Sequence, residues 1–145
     1  YQPFFEYVAV FPENMNGLNG PHVVFEGVNV HIRSGAGETK DVHTGLGNLI
    51  IGYNEDTAGD LQTRTGAHNL IVGPAHSYSA CGGFVAGLGN SINGFHASVS
   101  GGSMNKADGE ASSVSGGSGN TAAGYASSVS GGQSLEALEE YSYSP

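Results

Sequence analysis

Large aliphatic residues recur at every fifteenth position in the second half of the chain. Val99, Val114 and Val129 each lie in a Ser-Val-Ser-Gly-Gly segment. Three further columns keep the same period: Asn90, Asn105 and Asn120; Gly94, Gly109 and Gly124; Ala107 and Ala122. A repeat of this size indicates one structural unit stacked on copies of itself.

The glycines of each repeat decide which secondary structure the unit can form. An interior Gly costs about 1 kcal/mol in a helix relative to Ala, so strands joined by tight turns are favoured. We expect positive-φ glycines at two corners: Gly102, Gly117 and Gly132 at one, Gly94, Gly109 and Gly124 at the other. The sequence therefore predicts an all-β fold, a parallel β-solenoid with coils about 4.8 Å apart. Asn90, Asn105 and Asn120 are expected to form a stacked ladder.

Each predicted coil has a thin interior. One buried Val contributes about 1.5–3 kcal/mol, whereas ordering a coil of this length costs on the order of 15–30 kcal/mol before hydrogen bonds and dispersion. This imbalance favours symmetric association of several chains. We expect Val99, Val114 and Val129 to face the common axis, with Ala107 and Ala122 on neighbouring inner faces.

The repeat resembles a known sequence pattern. Asn105-x-Ala107-x-Gly109-x-x-Ser112-Ser113-Val114-Ser115-Gly116, and its successor from Asn120, are similar to the head repeat of trimeric autotransporter adhesins. The resemblance covers roughly residues 82–132, with Ser100, Ser115 and Ser130 where the family has a small apolar residue, and Gly101, Gly116 and Gly131 where it has Ile. It implies a left-handed parallel β-roll built by three chains side by side.

The chain upstream of the repeats is richer in large apolar residues. Residues 1–33 predict two strands around a turn at 14–21, followed by an alternating strand through Val28, Val30 and Ile32. We expect this segment to cap the solenoid, since a bare terminal coil exposes an apolar cross-section and an unpaired edge.

Residues 34–87 predict wider coils. The aliphatic triplet at 49–51 returns at 70–72, and more weakly at 84–86. Three consecutive aliphatics predict strands buried on both faces, in a solenoid that tapers into narrow coils over 88–132. Residues 53–65 read as a polar, acidic loop containing Glu55, Asp56 and Asp60. Residues 133–145 are either a degenerate cap coil or the start of a helical stalk.

The charge balance restricts the partners. Four Lys and Arg stand against 13 Asp and Glu, for a formal charge of -9, so no basic patch exists to meet nucleic acid or an anionic membrane surface. No apolar run is long enough for a transmembrane helix. Cys81 is the single cysteine, which excludes an internal disulfide, and we expect a small buried thiol.

Catalytic and metal-binding patterns are absent from the sequence. The six histidines lie at no zinc-ligand spacing, and the repeats lack the regular Asp of calcium-binding β-rolls. Gly-x-Gly occurs at Gly35, Gly45 and Gly87 without a following helix, and Ser is abundant without a nucleophile elbow. We expect no catalytic residue, no cofactor and no metal.

Two classes of function remain open. The first is a non-catalytic structural or adhesive module of a secreted, trimeric bacterial fibre at the cell surface, with itself and a host, glycan or matrix surface as partners; a phage-type fibre domain that binds glycan is a variant. The second is a template that binds ice or another crystal through rows of hydroxyls on one face. Its candidate residues are Ser98, Ser100, Ser113, Ser115, Ser128 and Ser130. An enzyme acting at clefts between chains is a weaker alternative, because no carboxylate pair recurs in the coils.

Overall fold

The structure is a computed structural model that describes residues 6–40, 44–57 and 62–145. It divides into two units, Tyr1–His31 and Ile32–Pro145. The described part contains no α-helix. Its strands are β1 (Val8–Phe11), β2 (His22–Phe25), β3 (Leu49–Ile51), β4 (Leu70–Val72), β5 (Ser77–Tyr78), β6 (Phe84–Ala86), β7 (Ser91–Ile92), β8 (Ser98–Val99), β9 (Lys106–Ala107), β10 (Ser113–Val114), β11 (Thr121–Ala122), β12 (Ser128–Val129), β13 (Glu136–Ala137) and β14 (Tyr143–Ser144).

The first unit is built on an antiparallel hairpin. Strand β1 pairs with β2, with Val8 opposite Phe25, and the connection contains a small bridge between Met15 and Leu18. The alternating segment 28–32 differs from its prediction, because it forms no strand and its apolar side chains are exposed. Alternation alone does not make a strand, since the backbone groups also need a hydrogen-bonding partner. Capping of the solenoid by residues 1–33 stays a prediction.

The second unit is the predicted parallel β-solenoid, with about five turns. Its seven-stranded first sheet has the order β14-β12-β10-β8-β6-β4-β3, and its five-stranded second sheet has the order β13-β11-β9-β7-β5. Ser98, Ser113 and Ser128 lie side by side in the first sheet, so each of these coils corresponds to one sequence repeat. All strand pairs within these two sheets are parallel.

The interior lies between the two sheets of one chain. The first sheet contributes Ile71, Val85, Val99, Val114 and Val129, and the second contributes Tyr78, Ile92, Ala107, Ala122 and Ala137. Val99 and Val114 have no exposed surface, and Val129 has 1%. Because a single chain encloses these side chains, they have no surface left to offer to an axis shared by several chains. Ala107 and Ala122, expected on neighbouring inner faces, are equally enclosed.

Backbone hydrogen bonds from coil to coil supplement this thin core. Ser113 N donates to Ser127 O at 2.9 Å, and Ser115 N donates to Val129 O at 3.0 Å. The same pattern repeats in neighbouring coils, so that each coil satisfies backbone groups of the one before it. These bonds offset part of the ordering entropy that burial of one Val per coil does not.

The glycines serve the two corners in different ways. Gly102, Gly117 and Gly132 have φ of 74°, 82° and 91°, in the left-handed region that favours glycine. Gly94, Gly109 and Gly124 do not have positive φ, contrary to the prediction. A Cβ on Gly94 would instead collide with the carbonyl oxygen of Gly109. At this corner glycine is required because the backbones of successive coils approach closely.

The coils that contain β3, β4 and β6 have the predicted register but not the predicted burial. Leu49 pairs with Leu70, and Leu70 pairs in turn with Phe84. Strand β3 is the edge of the first sheet, and all three of its residues are exposed instead of buried on both faces. Of the acidic loop, Glu55 and Asp56 are exposed, and Asp60 lies outside the described residues.

Residues 133–145 continue the solenoid. Strand β13 pairs with β11, placing Ala137 beside Ala122, and β14 pairs with β12. Leu135 occupies the position of the Asn column, where its amide donates to Asn120 Oδ1 at 2.9 Å. The segment therefore forms another coil and not the start of a helix.

Candidate interaction surfaces

A column of buried polar side chains runs through one corner of the solenoid. Asn105 N donates to Asn90 Oδ1 at 2.8 Å, and Asn120 N donates to Asn105 Oδ1 at 2.9 Å. Each Nδ2 group donates to the carbonyl four residues earlier and to a glycine carbonyl of the next coil; for Asn105 these are Gly101 O and Gly117 O. The three Asn side chains are fully buried. The column thus joins successive coils through backbone as well as side-chain groups.

His76 extends this column into the coil that precedes Asn90. Its Nδ1 accepts a hydrogen bond from Asn90 N at 3.1 Å, and its Nε2 lies 3.0 Å from Val72 O, the carbonyl four residues earlier. The imidazole therefore uses one acceptor and one donor in the same places as an Asn amide, which fixes the Nε2–H tautomer. Sequence reasoning missed this role, although His76 precedes Ser77 as Asn90 precedes Ser91, the partner of Ser77 in the neighbouring coil.

The serine rows lie on the outer face of the first sheet. Ser98, Ser113 and Ser128 are half-buried and in register, and their row continues as Phe84 on one side and Tyr143 on the other. Ser100, Ser115 and Ser130 form a second, exposed row. The structure thus brings all six predicted hydroxyl residues onto one face, bounded by aromatic side chains.

The same outer face is apolar in the coils that contain β3, β4 and β6. Successive side chains of a strand point to opposite faces, so the neighbours of the buried Ile71 and Val85 point outward. They form two rows across the strands: Leu49, Leu70 and Phe84 in one, and Ile51, Val72 and Ala86 in the next. Leu49 is 47% exposed and Ile51 54%. We call these six residues the apolar face. The aliphatic triplets in the sequence are a signal for this face, although three consecutive aliphatics predict strands buried on both faces.

Three titratable side chains, those of Asp56, Arg64 and Tyr78, interact near the start of the second sheet. Arg64 forms an ion pair with Asp56 and donates to His76 O at 3.4 Å. Burial raises the pKa of the Tyr78 hydroxyl, opposed by the charge of Arg64 and a hydrogen bond with Asn54. These side chains are thereby engaged in holding the first coils together.

Metal-binding side chains do not cluster in the described part of the chain. Within residues 6–40, 44–57 and 62–145, no three His, Cys, Asp or Glu side chains come close enough to hold a metal ion. The same ranges contain no helix of the length and apolarity that crossing a bilayer requires. Cys81 is buried, as expected.

Comparison with known proteins gave no relative. No protein-family model, no curated protein and no solved structure matches this chain.

Proposed function

We propose that this chain is a non-catalytic structural and adhesive module of a secreted bacterial fibre assembled from three identical chains. One observation carries the proposal: the second unit exposes consecutive large aliphatic side chains on strand β3, at the edge of its first sheet. Leu49, Ile50 and Ile51 are 47%, 45% and 54% exposed. Neighbouring exposed apolar side chains mark an interaction site, whereas the same face of the repeat coils presents Ser residues.

The apolar face is where the chains meet in this proposal. Its two rows are exposed at Leu49 and Ile51 and half-buried in β4 and β6, so that they offer apolar side chains in register to another copy. Three is the number of chains that the resemblance to adhesin heads implies. The role first assigned to the Val column thus passes to Leu49, Ile51, Leu70, Val72 and Phe84, while the repeat coils form the slender, projecting part of a solenoid that tapers.

The proposal is tested by the native mass of the full chain and two charged variants. Ile51→Asp places a carboxylate on the apolar face, where burial of an unpaired charge costs several kcal/mol, and we expect the trimer to dissociate. Ser115→Asp adds the same charge on the same sheet, beyond the apolar face, and should leave the trimer intact. Analytical ultracentrifugation distinguishes these results. A monomeric parent protein, or a trimer that survives Ile51→Asp, would refute the proposal.

A second candidate is a template for ice or another crystal, favoured by the in-register serine rows. The rows run along the coil axis at the strand spacing of about 4.8 Å. The Ser side chain is less rigid at χ1 than the β-branched Thr, and the row of Ser98, Ser113 and Ser128 ends at a bulky neighbour on each side, which limits the flat area. Thermal hysteresis of the parent protein tests this alternative. Activity that Ser115→Asp abolishes would support it, whereas hysteresis equal to that of buffer would exclude it for ice.

A further inference from the structure

A ridge of aromatic and acidic side chains lies at the turns that connect the second sheet to the first in the later coils. It consists of Phe95, Glu110, Tyr125, Glu140 and Tyr141, and we call it the aromatic ridge. Backbone bonds hold its positions in line: Ala111 N donates to Phe95 O at 2.8 Å, Ala126 N to Glu110 O at 2.9 Å, and Tyr141 N to Tyr125 O at 2.8 Å. Aromatic and carboxylate residues therefore alternate from coil to coil along one edge of the solenoid.

Four of the five ridge side chains are exposed, and Phe95 is half-buried. Tyr125 is 46% exposed and Tyr141 72%, and their rings meet edge to face with centroids 5.6 Å apart. Glu110 and Glu140 are exposed. The residue that follows each ridge position is small in two coils: Ala111 follows Glu110, and Ala126 follows Tyr125. Within its own turn, the Tyr125 ring therefore has no large side chain directly after it.

The spacing of the rings restricts the ligand. Phe95 and Tyr125 occupy the same position two coils apart, which corresponds to about 9.6 Å at the strand spacing of about 4.8 Å. This distance is close to the length of one disaccharide in an extended β-linked polysaccharide. Aromatic rings offer apolar surface to the C–H face of a sugar ring and present a polar rim, while the carboxylate in the intervening coil can accept hydrogen bonds from sugar hydroxyls.

The charge of the protein further restricts the class of polysaccharide that can bind. The carboxylates of the ridge and the net charge of -9 disfavour an anionic polymer. At the first ring, Lys40 Nζ lies over one face of Phe95, 4.7 Å from the centroid. A sugar that stacks on this face must displace the flexible Lys40 side chain to the rim of the ring, where its ammonium can donate to a hydroxyl. We propose that the aromatic ridge binds a neutral, extended β-linked polysaccharide, with Phe95 and Tyr125 stacking on sugar rings two residues apart and Glu110 accepting hydroxyl hydrogen bonds between them. This inference rests on the adhesive part of the proposed function.

Titration of the full chain with cellohexaose and chitohexaose, followed by calorimetry or NMR, tests the inference. We expect at least one of the two to bind, and polygalacturonate to bind more weakly. Tyr125→Ala should weaken binding about threefold to tenfold, from the loss of one stacked ring, and Glu110→Gln about fivefold, from the loss of a charged acceptor. Tyr143→Ala is the matched control, because Tyr143 is also exposed but lies in the serine row of the first sheet.

The outcomes separate this inference from the assembly proposal. If neither hexasaccharide binds, or if Tyr125→Ala and Glu110→Gln bind as the parent does, the inference is wrong, whatever the native mass. If Tyr125→Ala changes the native mass without changing sugar binding, the ridge is a contact between protein chains and the inference is again wrong. Binding that the two ridge variants weaken and Tyr143→Ala does not would support it, even for a monomeric protein whose fibre assembly had been refuted.

Discussion

Replacing Asn105 with Ala removes three hydrogen bonds from the interior of one coil. Asn105 Oδ1 is the acceptor for Asn120 N at 2.9 Å, and its Nδ2 donates to Gly101 O and Gly117 O. The two carbonyls keep other donors, since Gly101 O also accepts from Asn90 Nδ2 and Gly117 O from Ser103 N. The amide of Asn120 loses its acceptor in a fully buried position.

The expected loss of unfolding free energy follows from these hydrogen bonds. A buried N–H left without a partner costs about 1–3 kcal/mol, and the lost Nδ2 bonds add to it, so the free energy of unfolding should fall by about 2–4 kcal/mol. The matched control is Asn93→Ala. Asn93 is exposed and its side chain bonds to the side chains of Ser79 and Asp108, so its removal should change stability by no more than about 0.5 kcal/mol.

Two measurements check this prediction. Chemical denaturation gives the difference in unfolding free energy, and hydrogen exchange reports the amide of Asn120 directly. In a repeat protein each coil depends mainly on its neighbours, so we expect protection to be lost first at Asn120 and in the adjoining coils. The reasoning is refuted if Asn105→Ala is as stable as Asn93→Ala, or if the Asn120 amide keeps its protection.

Three further perturbations test other parts of the fold. Val114→Asp should unfold the surrounding coils within a single chain, because it buries an unpaired charge, whereas Ser115→Asp should keep the parent's circular dichroism; equal spectra and melting curves for both would contradict the enclosed core. Gly109→Ala should destabilise by more than about 1 kcal/mol in thermal melts, since its Cβ would collide with Gly124 O. Burial raises the pKa of Tyr78 above 10.0, so the unfolded state releases this proton first and stability should fall as the pH rises beyond 10. Parallel pH titrations should show a smaller fall for Tyr78→Phe.

The register of the solenoid could be predicted from the sequence. A residue in one coil hydrogen-bonds with its counterpart one period later, so the spacing of Val99, Val114 and Val129 is itself the strand register. In the same way, the recurrence of the aliphatic triplet predicted that Leu70 pairs with Leu49 on one side and with Phe84 on the other, although the two sequence intervals differ. His76 shows where prediction from the repeat fails. It takes the hydrogen-bonding role of the Asn column, but a search for repeated Asn residues does not find it.

Only the tertiary structure decided which surfaces are enclosed and which are open. A column of Val is compatible with an axis between chains or with the interior of one chain, and the second sheet, which lies opposite within the same chain, encloses it. The triplet at Leu49 is compatible with burial, yet it lies at the edge of its sheet and is exposed. Gly94 was expected for its backbone freedom and is required instead by the approach of the next coil. Periodicity along a chain fixes what lies beside a residue in the neighbouring coil, whereas the layer packed across from it depends on how the coil closes.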